Sequence, residues 1–288
     1  MGVLTVISTL EDLQAQVLEQ RSLSTAHRHI ADFVAQHLRD VSLMSATELA
    51  EVCQVSQSSV SRFCMGLGYA GFAEFVRAVQ DLVREEWQAP DRTRYLRRVE
   101  PSADMDPLIA EETENLKQLQ AIVTSPICDA MVQFVLRFPR LILAGSRASA
   151  TVIPYAAYFL SKIRDNVEVA TPDTPLWATL ASHAQPDAAV LAFVFPRYST
   201  VLLEWLDDVS RWATPMAAIT DRPQSPARTW AHPMVVVPVA RASLFDSYAA
   251  VMVFLNYLVR QAAAQTPHIE ARLQALEHYE TTHHVYRH

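Results

Sequence analysis

The chain has 288 residues, half of them hydrophobic and 19% charged, with 31 acidic against 24 basic side chains and a formal charge of −7. That length allows two domains with a sizeable core, and the composition excludes a disordered chain. The acidic balance gives no support for nucleic-acid binding by bulk charge alone, and three cysteines without metal-type spacing (Cys53, Cys64 and Cys128) fit a reducing compartment.

The first residues, MGVLTVISTLEDLQAQ, turn acidic after a short apolar start, unlike a secretory signal. The most apolar stretch, Tyr248–Leu258, is too short for a membrane span. A cytoplasmic protein with no membrane partner is expected. From Ser24 to about residue 87 the pattern is helical: Ile30, Phe33, Val34 and Leu38 form one apolar stripe. Ser45 with Glu48 three residues on predicts a capping box. A further helix is expected from Ser56 to Gly66 or Gly68, and another from Phe72 through Phe75, Val76, Val79 and Val83.

Within this region ATELAEVCQVSQSSVSRF (46–63) has helix-turn-helix spacing. Leu49, Ala50 and Cys53 point inward from the first helix, Val55 fills the turn, and Val60 and Phe63 point inward from the second. Gln54 stands at the turn position where glycine is frequent. Ser56 can cap the second helix, which places Gln57, Ser58, Ser61 and Arg62 on one polar face. These side chains can reach base edges and phosphates in a major groove. The expected DNA-binding residues are therefore Ser56, Gln57, Ser58, Ser61 and Arg62.

Residues 88–106, with two prolines and the basic run DRTRYLRR, are expected to link residues 1–87 to a second domain, 107–288. A helix from Pro107 to about Val123 opens that domain. Beyond Arg137, apolar runs alternate with helical patterns: 141–145, 167–172, 188–195, 216–221 and 234–239, with a long last helix over Ser243–Ala264. Continuous apolar strands separated by helices predict a five-stranded parallel sheet of flavodoxin-like order, with ligands at the carboxyl ends of the strands.

The segment SATELAEVCQVSQSSVSRFCMGLGYAGFAEFVRAV resembles the N-terminal domain of RpiR/MurR-type bacterial transcription regulators, through Arg62-Phe63-Cys64, Leu67-Gly68-Tyr69, Gly71-Phe72 and Glu74-Phe75. Gly68 and Gly71 are expected to bracket a tight turn. The second half resembles the sugar isomerase (SIS) domain of the same regulators, through its strand rhythm, GSRAS (145–149) and ITDRPQSP (219–226). The resemblance implies an all-α helix-turn-helix domain joined to an α/β SIS sensor. It also implies a double-stranded DNA operator, a small anionic effector, and a homodimer or homotetramer.

In GSRAS, Gly145 is expected to permit a sharp turn, with Ser146 and Ser149 at an anion site. The loop after the third strand reads FPRYST where the family commonly has S-x-S-G-x-T. Arg197, Tyr198, Ser199 and Thr200 complete the expected effector contacts, with Arg197 supplying a planar fork for a carboxylate or phosphate. The opposing possibility pairs Arg197 with Asp221 or with a partner subunit and has Tyr198 pack. Ser225 and Ser243 are expected as helix caps. The same fold also performs aldose–ketose isomerisation, which needs a general base. No histidine or glutamate is expected at the strands' carboxyl ends, since His183 and His232 precede strands. No catalytic residue, cofactor or metal is therefore expected, and His283, His284 and His288 read as a solvated tail.

Overall fold

The computed structural model describes residues 10–19, 24–83, 93, 106–240 and 245–286. The chain divides into two compact units, Met1–Glu100 and Pro101–His288. The expected linker, with Arg92, Arg94, Arg97 and Arg98, lies outside the described residues except for Thr93 and Asp106.

The first unit is helical: α1 (Leu10–Glu19), α2 (Thr25–Gln36), α3 (Leu38–Val41), α4 (Ala46–Val52), α5 (Gln57–Gly66) and α6 (Phe72–Val83). Its helix starts are written by hydroxyl caps. Ser24 accepts from His27 N, and at α4 the capping box closes in both directions, Glu48 N–H to Ser45 Oγ at 3.2 Å and Ser45 N–H to Glu48 Oε2 at 2.7 Å. Leu49, Ala50, Cys53, Val60 and Phe63 are buried as the spacing predicts, and they join Leu13, Val17, Ile30, Val34, Phe75 and Val79 in one core. Phe63 meets Phe75 edge-on, ring centroids 6.5 Å apart, and Gln80 ties α6 to the turn after α3 by donating to the Ser42 carbonyl at 2.8 Å. α1, which the sequence reading left unassigned, fills this core through Leu13 and Val17. After α5 only Gly68 needs glycine, at φ 92°; a Cβ on Gly71 would meet nothing within 4 Å, so Gly71 does not share that role.

The second unit begins with α7 (Pro107–Ile122), capped by Asp106, and α8 (Pro126–Arg137), bent 80° from it. The sheet follows: β1 (Arg140–Ala144), β2 (Val167–Ala170), β3 (Ala188–Val194), β4 (Met216–Thr220) and β5 (Met234–Val236), all parallel, in the order β2-β1-β3-β4-β5. Between them run α9 (Ile153–Ile163), α10 (Pro175–Ser182) and α11 (Thr200–Ser210), and the chain closes with α12 (Ala249–Gln265) and α13 (Ile269–Thr282). Alternate residues of the central strands feed two cores. Leu141, Leu143, Leu191, Phe193 and Ile219 pack with α8, α9 and α12, whereas Ile142, Val190, Ala192, Val194 and Ala218 pack with α10 and α11.

Two strands stop more than one residue earlier than expected. β2 ends before the turn in which Thr171 N donates to Thr174 Oγ1, and β5 ends near Pro238, which has no N–H for the ladder. The last long helix starts at Ala249 rather than Ser243, because Ser247 is still paired to Ala240 in an antiparallel bridge; Ser243 itself lies outside the described residues. No single described helix is long and apolar enough to cross a membrane. Burial pushes the Cys53 thiol up to about 11 and the Cys64 thiol up to about 12, so both stay protonated at neutral pH.

Candidate functional site

In the helical unit, α4 and α5 form the expected hairpin around Gln54, whose φ of 54° is the left-handed turn that glycine adopts without strain. Ser56 caps α5, accepting from Ser59 N at 3.2 Å. Its hydroxyl also lies 2.8 Å from that of Ser58 and 2.9 Å from that of Ser59. Gln57, Ser58 and Arg62 are exposed and Ser61 is half-buried, so they share a polar face opposite Val60 and Phe63. The Arg62 guanidinium reaches no further than the Ser59 hydroxyl, at 3.5 Å, and remains available to an external acceptor.

In the α/β unit the strand order reverses between β1 and β3, where Ala144 lies beside Ala192. The loops leaving these two strands therefore rise side by side over the sheet's carboxyl edge, at the topological switch point. A cleft of about 480 Å³ opens there, lined by Ser146, Arg147, Ala148, Ser149, Pro196, Arg197, Ser199 and Phe245. Gly145 opens the first of these loops: a Cβ there would sit 3.1 Å from Ile153 Cδ1. Glycine is needed for this close approach to α9 and not for a left-handed turn, which falls instead on Arg147 (φ 52°) and, across the cleft, on Arg197 (φ 59°). A side chain held at such φ costs about 1–2 kcal/mol, and strain of this kind collects at ligand clamps.

The serines of the cleft have separate duties. Ser149 Oγ accepts from Phe195 N at 3.2 Å and binds the first loop to the exit of β3. Ser146 opens the 3-10 turn Arg147–Val152 without a side-chain cap bond; it is 2% exposed and its hydroxyl has no partner among the described residues. Ser199 opens α11, again without a side-chain cap bond, because its backbone carbonyl alone accepts from Leu202 N and Leu203 N. Two hydroxyls at helical starts are thus left to the cleft. Neither Arg147 nor Arg197 makes an ion pair or hydrogen bond among the described residues.

Tyr198 and Thr200 stand elsewhere. The Tyr198 hydroxyl donates to Asp221 Oδ1 at 2.7 Å and its ring packs under the Arg222 guanidinium, 5.2 Å from the centroid. This contact engages Asp221, and Arg197 does not pair with it. Thr200 is the first residue of α11 and does not line the cleft. Ser225 caps the turn Pro226–Thr229 as expected, and the Thr220 hydroxyl is buried on the Val194 carbonyl at 2.6 Å. The cleft also gains two residues that the sequence reading did not single out, Arg147 and Phe245. Arg147 stands inside the quoted GSRAS loop. Phe245, 65% exposed, arrives from a segment well beyond both loops in sequence and carries no local signal. No group of three His, Cys, Asp or Glu among the described residues is placed to hold a metal.

Comparison with known proteins agrees with this division. A family model described as the helix-turn-helix domain of the rpiR family matches residues 8–85, and a SIS domain model matches residues 137–261. An uncharacterized HTH-type transcriptional regulator of Escherichia coli, YfhH, is 26% identical over 203 residues, 69% of this chain and 72% of that protein. The Vibrio vulnificus NanR protein, solved in complex with ManNAc-6P, is 19% identical with a TM-score of 0.54, covering 94% of this chain and 98% of NanR. The sugar isomerase domain of an RpiR transcription factor from Sphaerobacter thermophilus is 21% identical with a TM-score of 0.55, covering 59% of this chain and 96% of that domain.

Proposed function

The chain belongs to the rpiR family of helix-turn-helix transcriptional regulators that carry a SIS domain, and on that premise we propose that it is an effector-controlled repressor. In this reading a homodimer or homotetramer places paired α5 helices in successive major grooves of a palindromic operator. Gln57, Ser58, Ser61 and Arg62 face the DNA, with Arg62 contacting a guanine edge or a phosphate. The cleft over β1 and β3 binds a small anionic metabolite, a sugar phosphate or a carboxylate. Binding favours one arrangement of the sensor units and lowers operator affinity by linkage.

The observation that carries the effector assignment is the unsatisfied Ser146 hydroxyl, buried at the mouth of a cleft whose charged lining is wholly basic. A buried polar group is normally bonded, and an anion at the switch point would complete it. The same lining supports sensing over isomerisation: none of its eight described residues is a histidine or a carboxylate able to take a proton from a carbon next to a carbonyl. NanR, which was solved with ManNAc-6P, makes phosphorylated sugars a starting point for effector screens. The departure of FPRYST from the family's usual hydroxyl-and-glycine loop widens the screen to carboxylates.

The test is a gel shift of the full chain on its own upstream region at low salt, with Arg62→Ala as control. Sequence-specific binding that Arg62→Ala weakens at least about tenfold is expected. An absence of specific binding by the wild-type chain would sink the repressor reading.

A further inference from the structure

From the pair of arginines on the cleft we propose that the effector carries two separate anionic groups, one held by Arg147 and the other by Arg197. This inference rests on the reading of the cleft as the effector site, and it names the ligand's charge pattern. Four observations converge on it. Arg147 and Arg197 both line the same cavity, one from each of the adjacent loops after β1 and β3. Neither guanidinium is neutralised by any described residue, in a chain whose formal charge is −7. The two loops are fastened to each other by the Ser149–Phe195 bond, which fixes the two arginine positions as a unit. In the same lining the buried Ser146 hydroxyl and the Ser199 hydroxyl make no cap bond and remain unused.

A single phosphate or carboxylate on one arginine would leave the other guanidinium unpaired beside it in the same cleft. A guanidinium fork suits a two-oxygen face of a carboxylate or phosphate, so two forks match two anionic groups at the ends of a short carbon skeleton. The Ser146 hydroxyl then donates to one of the anionic groups, and Ser199 serves a neutral oxygen of the skeleton. Phe245 supplies a flat apolar wall for the carbon backbone, and about 480 Å³ accommodates a molecule of metabolite size. The shared chemistry is a small polyhydroxylated molecule with two anionic groups, either a phosphorylated sugar acid or a sugar bisphosphate.

Four probes separate the charge patterns: 6-phosphogluconate (phosphate and carboxylate), fructose 1,6-bisphosphate (two phosphates), glucose 6-phosphate (phosphate alone) and gluconate (carboxylate alone). Each is titrated into the full chain by calorimetry, with thermal shift in parallel. One of the two probes with two anionic groups is expected to bind at least tenfold more tightly than either probe with one, and which one does so identifies the second group. Arg147→Asn and Arg197→Asn keep a side chain that tolerates positive φ, and folding is checked by the melting temperature without ligand. Each variant is expected to bring the probe with two anionic groups down to the affinity of a probe with one.

An advantage of less than tenfold for both probes with two anionic groups overturns the two-anion inference. So does an Arg147→Asn variant that binds the tighter of them as the wild type does. In either case glucose 6-phosphate or gluconate binding lost in Arg197→Asn leaves the anion-site reading standing. If none of the four probes binds at millimolar concentration, the anion-site reading falls and the two-anion inference falls with it.

Discussion

The start of α5 and the mouth of the cleft are both rich in serine, and they use it in opposite ways. Ser56 is consumed by the fold: it accepts from Ser59 N and lies against the Ser58 and Ser59 hydroxyls. Ser146 and Ser199 occupy the same position relative to their helical turns, yet neither hydroxyl caps. The difference teaches that a serine before a helix is structural when the first turn's amides claim it and available for binding when they do not. The sequence pattern alone does not separate the two cases.

The contrast can be broken most severely from inside the helical unit. Phe63, fully buried against Phe75 and His27, is the centre of that core. Phe63→Ala is expected to remove about 3–5 kcal/mol, melting the first unit and abolishing operator binding. Scanning calorimetry should show the α/β unit's transition, and its ligand-induced shift, surviving. A lost ligand shift would mean that the cleft depends on the helical unit. Next in size is the capping comparison. Ser45→Ala opens the capping box and Ser56→Ala uncaps α5, each with an expected loss of about 1 kcal/mol. Chemical denaturation of Ser199→Ala should stay within about 0.5 kcal/mol of wild type.

Ser146→Ala should be neutral or slightly stabilising, because it removes an unsatisfied buried group, while weakening the effector. A clear loss of stability in Ser146→Ala without ligand would show that its hydroxyl is structural after all. The smallest expected effect concerns the turn that positions α5. Gln54→Gly relieves a left-handed φ but loosens the unfolded chain, so a net gain of about 0.5 kcal/mol is expected, measurable as a small rise in the helical unit's midpoint.

Much of this architecture was legible in the sequence because burial leaves a pattern. The two central strands β3 and β4 are buried along their whole length and read as continuous apolar runs, and Leu49, Ala50, Val60 and Phe63 mark the helix-turn-helix by spacing. Helices with a weak or interrupted signal were missed. α13 buries no residue, so no stripe announces it. α8 begins with Pro126 at its first turn, where proline is well tolerated but reads as a break. Of the candidate site, Ser146, Ser149, Arg197 and Ser199 were reachable from the two loops' chain positions. Phe245 was not, since only the folded chain brings it there. Tyr198 read as a ligand contact because it adjoins Arg197; in the folded loop its hydroxyl is satisfied by Asp221. Spacing cannot reveal which way a loop residue faces.

The central claim is that occupancy of the cleft alters DNA affinity. It is tested most directly by fluorescence anisotropy of the full chain on its operator, titrated with the tightest of the four probes, for wild type and for Arg197→Asn. The account predicts that ligand weakens wild-type binding at least about fivefold and leaves the operator affinity of Arg197→Asn unchanged. Equal operator affinity with and without bound ligand in the wild type would contradict it.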